Sequence, residues 1–289
     1  MEAALRNAEP GLRVEIVPIR TSGDERRAGD AARAKASRGG DKSRFVKEIE
    51  DALLRSEVDL GVHSAKDLPS QLPEGLEIVG VPERADARDA LCGSARTLAD
   101  LPEGAAVGTS SLRRRSQLLA HRPDLRVEDL RGNVDTRLRR LGEGSYDALV
   151  LAAAGLARLG REEGEPLSLE AMIPAAGQGC LALEARTGDE RAAEVAAAIT
   201  DRPSLERLTA ERALVAELDA SCRTPLAAYA RHDDGVMVLS AFVGLPDGAT
   251  WIHDSLEGDA GDPAALGRTV TAHLLAAGAA EVLRAAEAT

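Results

Sequence analysis

The chain has 289 residues, of which 44% are hydrophobic, 29% charged and only 2% aromatic, and its formal net charge is -12. That length accommodates two or three domains, each with its own core, while the scarcity of aromatic side chains excludes a base-stacking platform and the acidic balance excludes a general nucleic-acid binder. No apolar run approaches the roughly 20 residues needed to cross a bilayer and the N-terminus has no signal-like apolar core, so the expected setting is the cytoplasm, away from membranes.

In chain order, LRVEIVPI (12–19) reads as a strand and DKSRFVKEIEDALLRSE (41–57) as a helix with Phe45, Val46, Ile49, Leu53 and Leu54 at its apolar positions. Between them, GDERRAGDAARAKASRGGDKS (23–43) has few apolar anchors and several glycines, which suits a mobile loop: a lid over a charged site, or an insertion without function. VDLGVHS (58–64) is a short strand, and VHSAKDLPS sets His63, Ser64, Lys66 and Asp67 at its end. A lysine–aspartate pair there fits a surface turn as well as a catalytic position, and His63 fits a packed core histidine equally.

Further on, AAVGTS (105–110) reads as a strand, SLRRRSQLLAHR as a helix and LRVEDL as a strand. NVDTRLRRLGEG (133–144) is a helix capped by Asn133, and YDALVLAAAGL (146–156) is another strand. This βαβα order predicts parallel-rich mixed sheets with helices on both faces. The last third changes character: the helix ERLTAERALVAELDA precedes antiparallel strands joined at DDG and PDG turns, and AALGRTVTAHLLAAGAAEVLRAAEA forms a closing helix. The expected fold class is α/β, with two α/β domains followed by an α+β domain.

Of the 36 basic residues only four are lysines, and Lys66 is the last of them. GTSSLRRRS (108–116) places Arg113 and Arg114 in the first turn of a helix, where cations oppose the helix dipole and a bound anion would offset the conflict. Thr109, Ser110 and Ser111 add hydroxyls beside them. DLRGNVDTRL repeats the arrangement, with Arg131 at a strand end and Arg137 one turn into a helix, so four arginines converge while Arg115, Arg122, Arg139 and Arg140 fall on solvated faces. The three cysteines, Cys92, Cys180 and Cys222, are widely spaced without a C-x-x-C pair, and suggest neither a disulfide framework nor a zinc site.

DLGVHSAKDLPSQLPEGLEIVGVPERADARDAL, GTSSLRRRSQLLAHRPDLRVEDLRGNVDTRLRRL, YDALVLAAAGLARLG, IPAAGQGCLALEAR and TAERALVAELDASCRTPLAAYA stand in the order and spacing of the porphobilinogen deaminase family, a resemblance over roughly residues 12–285. It implies two domains resembling periplasmic binding proteins, crossed near VPERADA and IPAAGQG, plus a third domain. Domain 1 would comprise 1–82 and 179–199, domain 2 87–174 and domain 3 203–289. The implied activity condenses four porphobilinogen units head to tail, releasing ammonia each time, into the linear tetrapyrrole hydroxymethylbilane. Its partners are porphobilinogen and the growing polypyrrole, handled by a monomer without metal or nucleotide. The chain is primed on a dipyrromethane cofactor held as a thioether, and Cys222 in LDASCRTP matches the cysteine that bears it, leaving Cys92 and Cys180 as inert thiols.

Asp67 matches the family's catalytic carboxylate, which helps protonate the leaving amine, stabilises the cationic methylene-pyrrole and assists later proton loss. Lys66, Arg113, Arg114, Arg131, Arg137 and Arg158 match positions that bind pyrrole carboxylates, with Ser64, Thr109, Ser111 and Gln178 as hydrogen-bonding neighbours. Two departures stand out. Family members usually carry a strand and a GTR-x-S-x-LA-like segment ahead of the part matching LRVEIVPI, so an unpaired sheet edge and an incomplete cofactor site are expected here. GGDKSRF replaces the family's GGKGLF-like stretch, with Lys42 and Phe45 keeping the match. The alternative to an enzyme is a non-catalytic two-lobed binder of polycarboxylates or tetrapyrrole precursors, against which the pairing of Asp67 with Cys222 argues, since a binder needs no nucleophilic sulfur. A helix-turn-helix regulator built on SLRRRSQLL is a third option, opposed by the acidic balance.

Overall fold

The computed structural model describes residues 1–19, 41–221 and 224–288, with the backbone alone for 41–45. Its chain falls into two compact units: Met1–Arg84 with Cys180–Leu205, and Ala85–Gly179 with Glu206–Thr289. The first unit opens with α1 (Glu2–Ala8), α2 (Asp41–Leu54), β1 (Gly61–Ser64), a 3-10 turn (Ala65–Asp67) and β2 (Leu76–Gly80). The second begins with β3 (Asp89–Gly93), β4 (Ala106–Gly108), α3 (Leu112–His121), β5 (Arg126–Glu128), α4 (Val134–Gly142), β6 (Ala148–Ala152), α5 (Ala153–Arg158) and β7 (Glu165–Pro166). The chain returns to the first unit for β8 (Leu181–Arg186) and α6 (Glu190–Ala197), and α7 (Arg202–Glu217) leads out again. β9 (Leu226–Asp233), β10 (Val236–Gly244), β11 (Trp251–Gly258), α8 (Pro263–Ala276) and α9 (Ala279–Glu287) complete the second unit.

In the first unit β8 lies between β1 and β2, antiparallel to both, pairing His63 with Ala182 and Gly61 with Glu184. The strand expected at 12–19 is absent. Those residues alternate in polarity, but a strand exists by pairing its N–H and C=O groups with a neighbour, Pro18 lacks an N–H, and the side chains of Ile16 and Val17 stand in solvent. The segment is tied instead by the Leu12 N–H donating to the Glu9 carbonyl at 3.0 Å and the Arg6 guanidinium donating to the Val14 carbonyl at 3.1 Å. The expected lid at 23–43 lies almost entirely outside the described residues, as do the side chains of Lys42 and Phe45.

Beneath the first unit's sheet, Glu50 of α2 is buried among acids. Burial first, then the Glu184 charge and that of Asp51, push its carboxyl up to about 6, against smaller opposing effects of His63 and Lys47. His63 Nε2 lies 2.9 Å from Glu184 Oε2, both side chains enclosed, so the histidine is a packed core residue. A carboxyl whose folded pKa exceeds its unfolded one favours the folded state below both values and costs stability once pH rises through the folded one. Glu50→Gln is therefore expected to match the native chain at pH 4 and exceed it by about 2 kcal/mol at pH 8. Thermal unfolding at both pH values checks this, and an equal difference at both contradicts it.

The second unit holds two sheets. The five-stranded one has the order β5-β4-β6-β3-β7, parallel where β4 meets β5 and β6 and antiparallel at β3–β6 and β3–β7. Leu91, Val107, Leu118, Val127, Val150 and Met172 fill a core against it. The fold is thus mixed α/β, with the parallel pairing concentrated around β4. β6 ends earlier than expected, at Ala152, because the following alanine-rich run turns into α5. The three-stranded sheet, order β11-β10-β9, is antiparallel with a separate core of Leu214, Met237, Leu239, Val270 and Leu274. The closing helix is two helices, because Gly278 at φ 98° takes a left-handed conformation that stops α8.

The chain leaves the first unit between Arg84 and Ala85 and re-enters it between Gly179 and Cys180. There, Gly179 adopts φ 87°, and a Cβ on it would sit 2.4 Å from the Ala85 carbonyl oxygen, so only glycine fits.

Candidate active site

The carboxyl end of β4 delivers a tight hydroxyl-rich turn. Thr109 is buried, its N–H donates to the Glu128 carbonyl at 2.9 Å, and its Oγ1 accepts from the Ser111 N–H at 3.2 Å. Ser111 then caps α3 by accepting from the Arg114 N–H, and Asn133 caps α4 by accepting from the Thr136 N–H at 2.9 Å.

Arg113 and Arg114 follow at once, yet they are only 5% and 6% exposed. Their anion is internal. Asp89, fully buried at the start of β3, accepts from Arg113 Nη1 at 2.7 Å and Nη2 at 3.2 Å and from Arg114 Nε at 2.9 Å, and forms an ion pair with Arg114 Nη2 at 2.7 Å. Arg113 also donates to the Ile173 carbonyl at 2.6 Å and Arg114 to the Val150 carbonyl at 2.9 Å. Gln178, 1% exposed, donates through Nε2 to Asp89 Oδ1 at 3.0 Å and to the Ala87 carbonyl at 2.7 Å. Burial alone would raise the Asp89 carboxyl, but the two guanidiniums and the hydrogen bonds from Arg113 and Gln178 outweigh it and hold the group well below the usual carboxylate range. Burial pulls Arg113 below its ordinary value, Asp89 pulls it up and Arg114 pulls it down again; the guanidinium stays charged.

One carboxylate between two guanidiniums leaves one positive charge over. Arg137, half-buried, adds a second: its Nε donates to the Gly132 carbonyl at 2.8 Å, and it has no carboxylate partner among the described residues. Burial, and then the charge of Arg114, lower its pKa. Elsewhere in this unit many arginines are paired, as in Arg88–Asp86, Arg122–Asp124 and Arg161–Asp135. Arg131 lies beyond the end of β5 and is exposed, and Arg158 is exposed with one donation, to the Gly179 carbonyl at 2.8 Å. Arg115, assigned to a solvated face by its sequence position, is half-buried and donates to the Val127 carbonyl.

Cys222 itself lies outside the described residues. Its described neighbours, Ser221 and Thr224, form a turn in which the Ser221 N–H donates to Thr224 Oγ1 at 2.9 Å. Both line a cavity of about 610 Å³ whose other walls include Thr109, Ser110, Ser111 and Arg115. Cys92 is buried, and its thiol is pushed up to about 11, chiefly by that burial. It is an inert thiol at neutral pH. Cys180 is buried as well.

Ser64, Lys66 and Asp67 belong to the first unit. Ser64 ends β1 and precedes the turn Ala65–Asp67, which is pinned by the Ala65 N–H donating to the Cys180 carbonyl at 3.1 Å. All three are half-buried. The structure thus brings Arg113, Arg114 and Gln178 together on Asp89, sets Thr109 and Ser111 on the turn that leads into α3, places Arg137 in α4 within the field of Arg114, and puts Ser64, Lys66 and Asp67 at the end of β1 and the turn that follows it in the first unit. The residue that sequence reasoning missed is Asp89. Its only signal was the dipole conflict at Arg113 and Arg114, which calls for an anion without saying where it comes from.

Comparison with known proteins gives concordant matches. Residues 1–194 match the family described as porphobilinogen deaminase, dipyromethane cofactor binding domain, and residues 205–276 match the porphobilinogen deaminase C-terminal domain. The chain is similar to porphobilinogen deaminase of Deinococcus radiodurans, 46% identical over 98% of this chain and 92% of that one. It is similar also to porphobilinogen deaminase of Acidithiobacillus ferrooxidans, 48% identical over 98% of this chain and 91% of that one. Among solved structures, a substrate-binding domain of Lactococcus lactis GlnP in an open conformation aligns over 54% of this chain and 68% of that one, at 16% identity and a TM-score of 0.36.

Proposed function

The chain belongs to the porphobilinogen deaminase family, and from that premise we infer that it is a transferase that joins four porphobilinogen units, with loss of ammonia at each addition, into hydroxymethylbilane. The observation that carries this reading at the level of residues is the surplus of sequestered guanidinium. Arg113 and Arg114 outnumber Asp89, and Arg137 stands half-buried without a carboxylate among the described residues. Every pyrrole of the substrate and product bears an acetate and a propionate, so a dense polyanion is the complement this surplus requires.

The residues also suit the family's dipyrromethane. Hydroxyl donors at Thr109 and Ser111, spare N–H groups on Arg113 and Arg114, and a cavity bordered by Ser221 and Thr224 supply the donor chemistry that a carboxylate-bearing dipyrrole needs. Cys222 would bear it through sulfur. When bound, the dipyrromethane supplies the pyrrole carbon to which the first substrate unit is joined.

We assign Arg113, Arg114, Arg131, Arg137 and Arg158, with Lys66, to pyrrole carboxylates, and Ser64, Thr109, Ser111 and Gln178 to support by hydrogen bonds. Asp67 is assigned the proton transfers: its carboxyl group gives a proton to the departing amine, its carboxylate faces the positive charge that develops on the substrate's methylene carbon, and it takes up the proton released after the new carbon–carbon bond forms. The separate sheets and cores of the second unit support its division into domain 2 (87–174) and domain 3 (203–289), with domain 1 formed by 1–82 and 179–199. The widely spaced cysteines support work in the reducing cytoplasm, and the family resemblance supports a monomer. No helix among the described residues is long and apolar enough to cross a membrane.

Arg137→Leu tests the surplus-charge argument. Losing a charge-assisted hydrogen bond of about 1.5–3 kcal/mol should cut kcat/KM for porphobilinogen by roughly 10- to 100-fold, whereas Arg140→Leu, three residues on and exposed, should stay near the native value. Equal kinetics in the two variants would contradict the assignment.

A further inference from the structure

We propose that Asp89 is a positioning residue of this enzyme: its carboxylate, itself steadied by the Gln178 amide, fixes the two guanidiniums of Arg113 and Arg114 as one preorganised set of donors for pyrrole carboxylates. The inference rests on the functional reading above and deepens it, because it names the group that sets the geometry of the anion site.

The arrangement is unusually concentrated. Asp89 Oδ1 accepts from Arg113 Nη2, Arg114 Nε and Gln178 Nε2 and is ion-paired with Arg114 Nη2, while Oδ2 accepts from Arg113 Nη1. The carboxylate is wholly out of solvent, and no proton relay or substrate contact in the assigned chemistry uses it. A buried ion pair is weak evidence for stability, because removing both charges from water costs several kcal/mol per ion that the attraction only offsets. Its retention at the root of α3 is explained when the pair does something else.

That role follows from counting donors. A guanidinium has five N–H groups. Arg113 gives three of its own to Asp89 and the Ile173 carbonyl, and Arg114 gives two, to Asp89 and the Val150 carbonyl. Arg113 therefore retains two donors and Arg114 three, on forks fixed in direction by the bonds already made. Because Asp89 is held far below the usual carboxylate range, it keeps its charge throughout the working pH range and the cluster keeps a net charge of one. A neutral residue at position 89 would release both forks and double that charge. A longer acid would keep the charge and displace the forks. Ordering of side chains before the ligand arrives lowers the entropic cost of binding it, which appears as affinity.

Asp89→Glu separates geometry from charge and is the primary test, with Asp89→Asn beside it. Kinetics with porphobilinogen, the denatured intact mass and the thermal midpoint are measured on each purified chain. The expected result for Asp89→Glu is a midpoint within a few degrees of native, KM raised at least tenfold with kcat changed much less, and a reduced fraction of protein bearing the dipyrromethane mass. A role confined to stability would instead lower the midpoint and the active fraction while leaving KM at the native value, and that result overturns the proposal. Native KM and native cofactor occupancy in Asp89→Glu overturn it as well. If Asp89→Asn does not fold, Asp89→Glu alone decides. Should the native chain itself neither turn over porphobilinogen nor acquire the cofactor mass, it is the functional reading that fails, which the native control reveals independently of either variant.

Discussion

Asp67→Asn is expected to leave the protein folded and carrying its cofactor while lowering kcat by roughly 10²- to 10⁴-fold, the range associated with a positioned acid–base group. Asparagine has the size of aspartate and keeps one carbonyl acceptor, so the turn Ala65–Asp67, anchored by the Ala65 N–H on the Cys180 carbonyl, has no reason to rearrange. What disappears is the ability to hold a proton for the leaving amine and a negative charge against the developing cation. The two losses fall on the same step, so the effect should appear in kcat rather than in KM. Pre-steady-state ammonia release and intact mass on one preparation measure both. Turnover within a few-fold of native, with the cofactor mass present, would remove Asp67 from the chemistry.

How much of this was legible in the sequence depends on how local each feature is. Asn133 was readable as a helix start because a cap acts on an N–H three residues away, and its cap is made; Ser111, read only as a hydroxyl beside the arginines, proves to cap α3 in the same way. The β4–α3–β5–α4 order was legible for the same reason. Asp89 was not, because its bonds reach 24 and 25 residues along the chain and RADARDAL contains nothing that distinguishes it from its surface neighbour Asp86, which pairs with Arg88. Arginines that looked like a site waiting for an external anion are half satisfied from within. LRVEIVPI had the polarity of a strand without a partner to pair with, and a pattern read from one segment cannot report its neighbour. The extra turn at Gly278 and the short β6 belong to the same class, where backbone conformation overrides an apolar run.

Cys222→Ser carries the other large expected effect. A serine hydroxyl is a far poorer nucleophile than a thiolate and is not expected to form the link, so the variant should lose turnover almost entirely while its thermal midpoint in the absence of cofactor stays near native. Its neighbours explain why this one cysteine of three is suited to the task. Cys92 is enclosed and its thiol is raised to about 11, Cys180 is enclosed, and the described residues on either side of position 222, Ser221 and Thr224, line a cavity of about 610 Å³ together with Thr109, Ser110 and Ser111. If the assigned arginines hold the dipyrrole's carboxylates while the bond to sulfur forms, Arg137→Leu and Asp89→Glu should both slow acquisition of the added mass.

The most direct measurement is the denatured intact mass of the purified chain, beside Cys222→Ser, after incubation with porphobilinogen or with preformed hydroxymethylbilane. The account predicts an added mass of two linked pyrroles on the native chain and none on the variant. An unmodified native chain, or the same added mass on both, would contradict it.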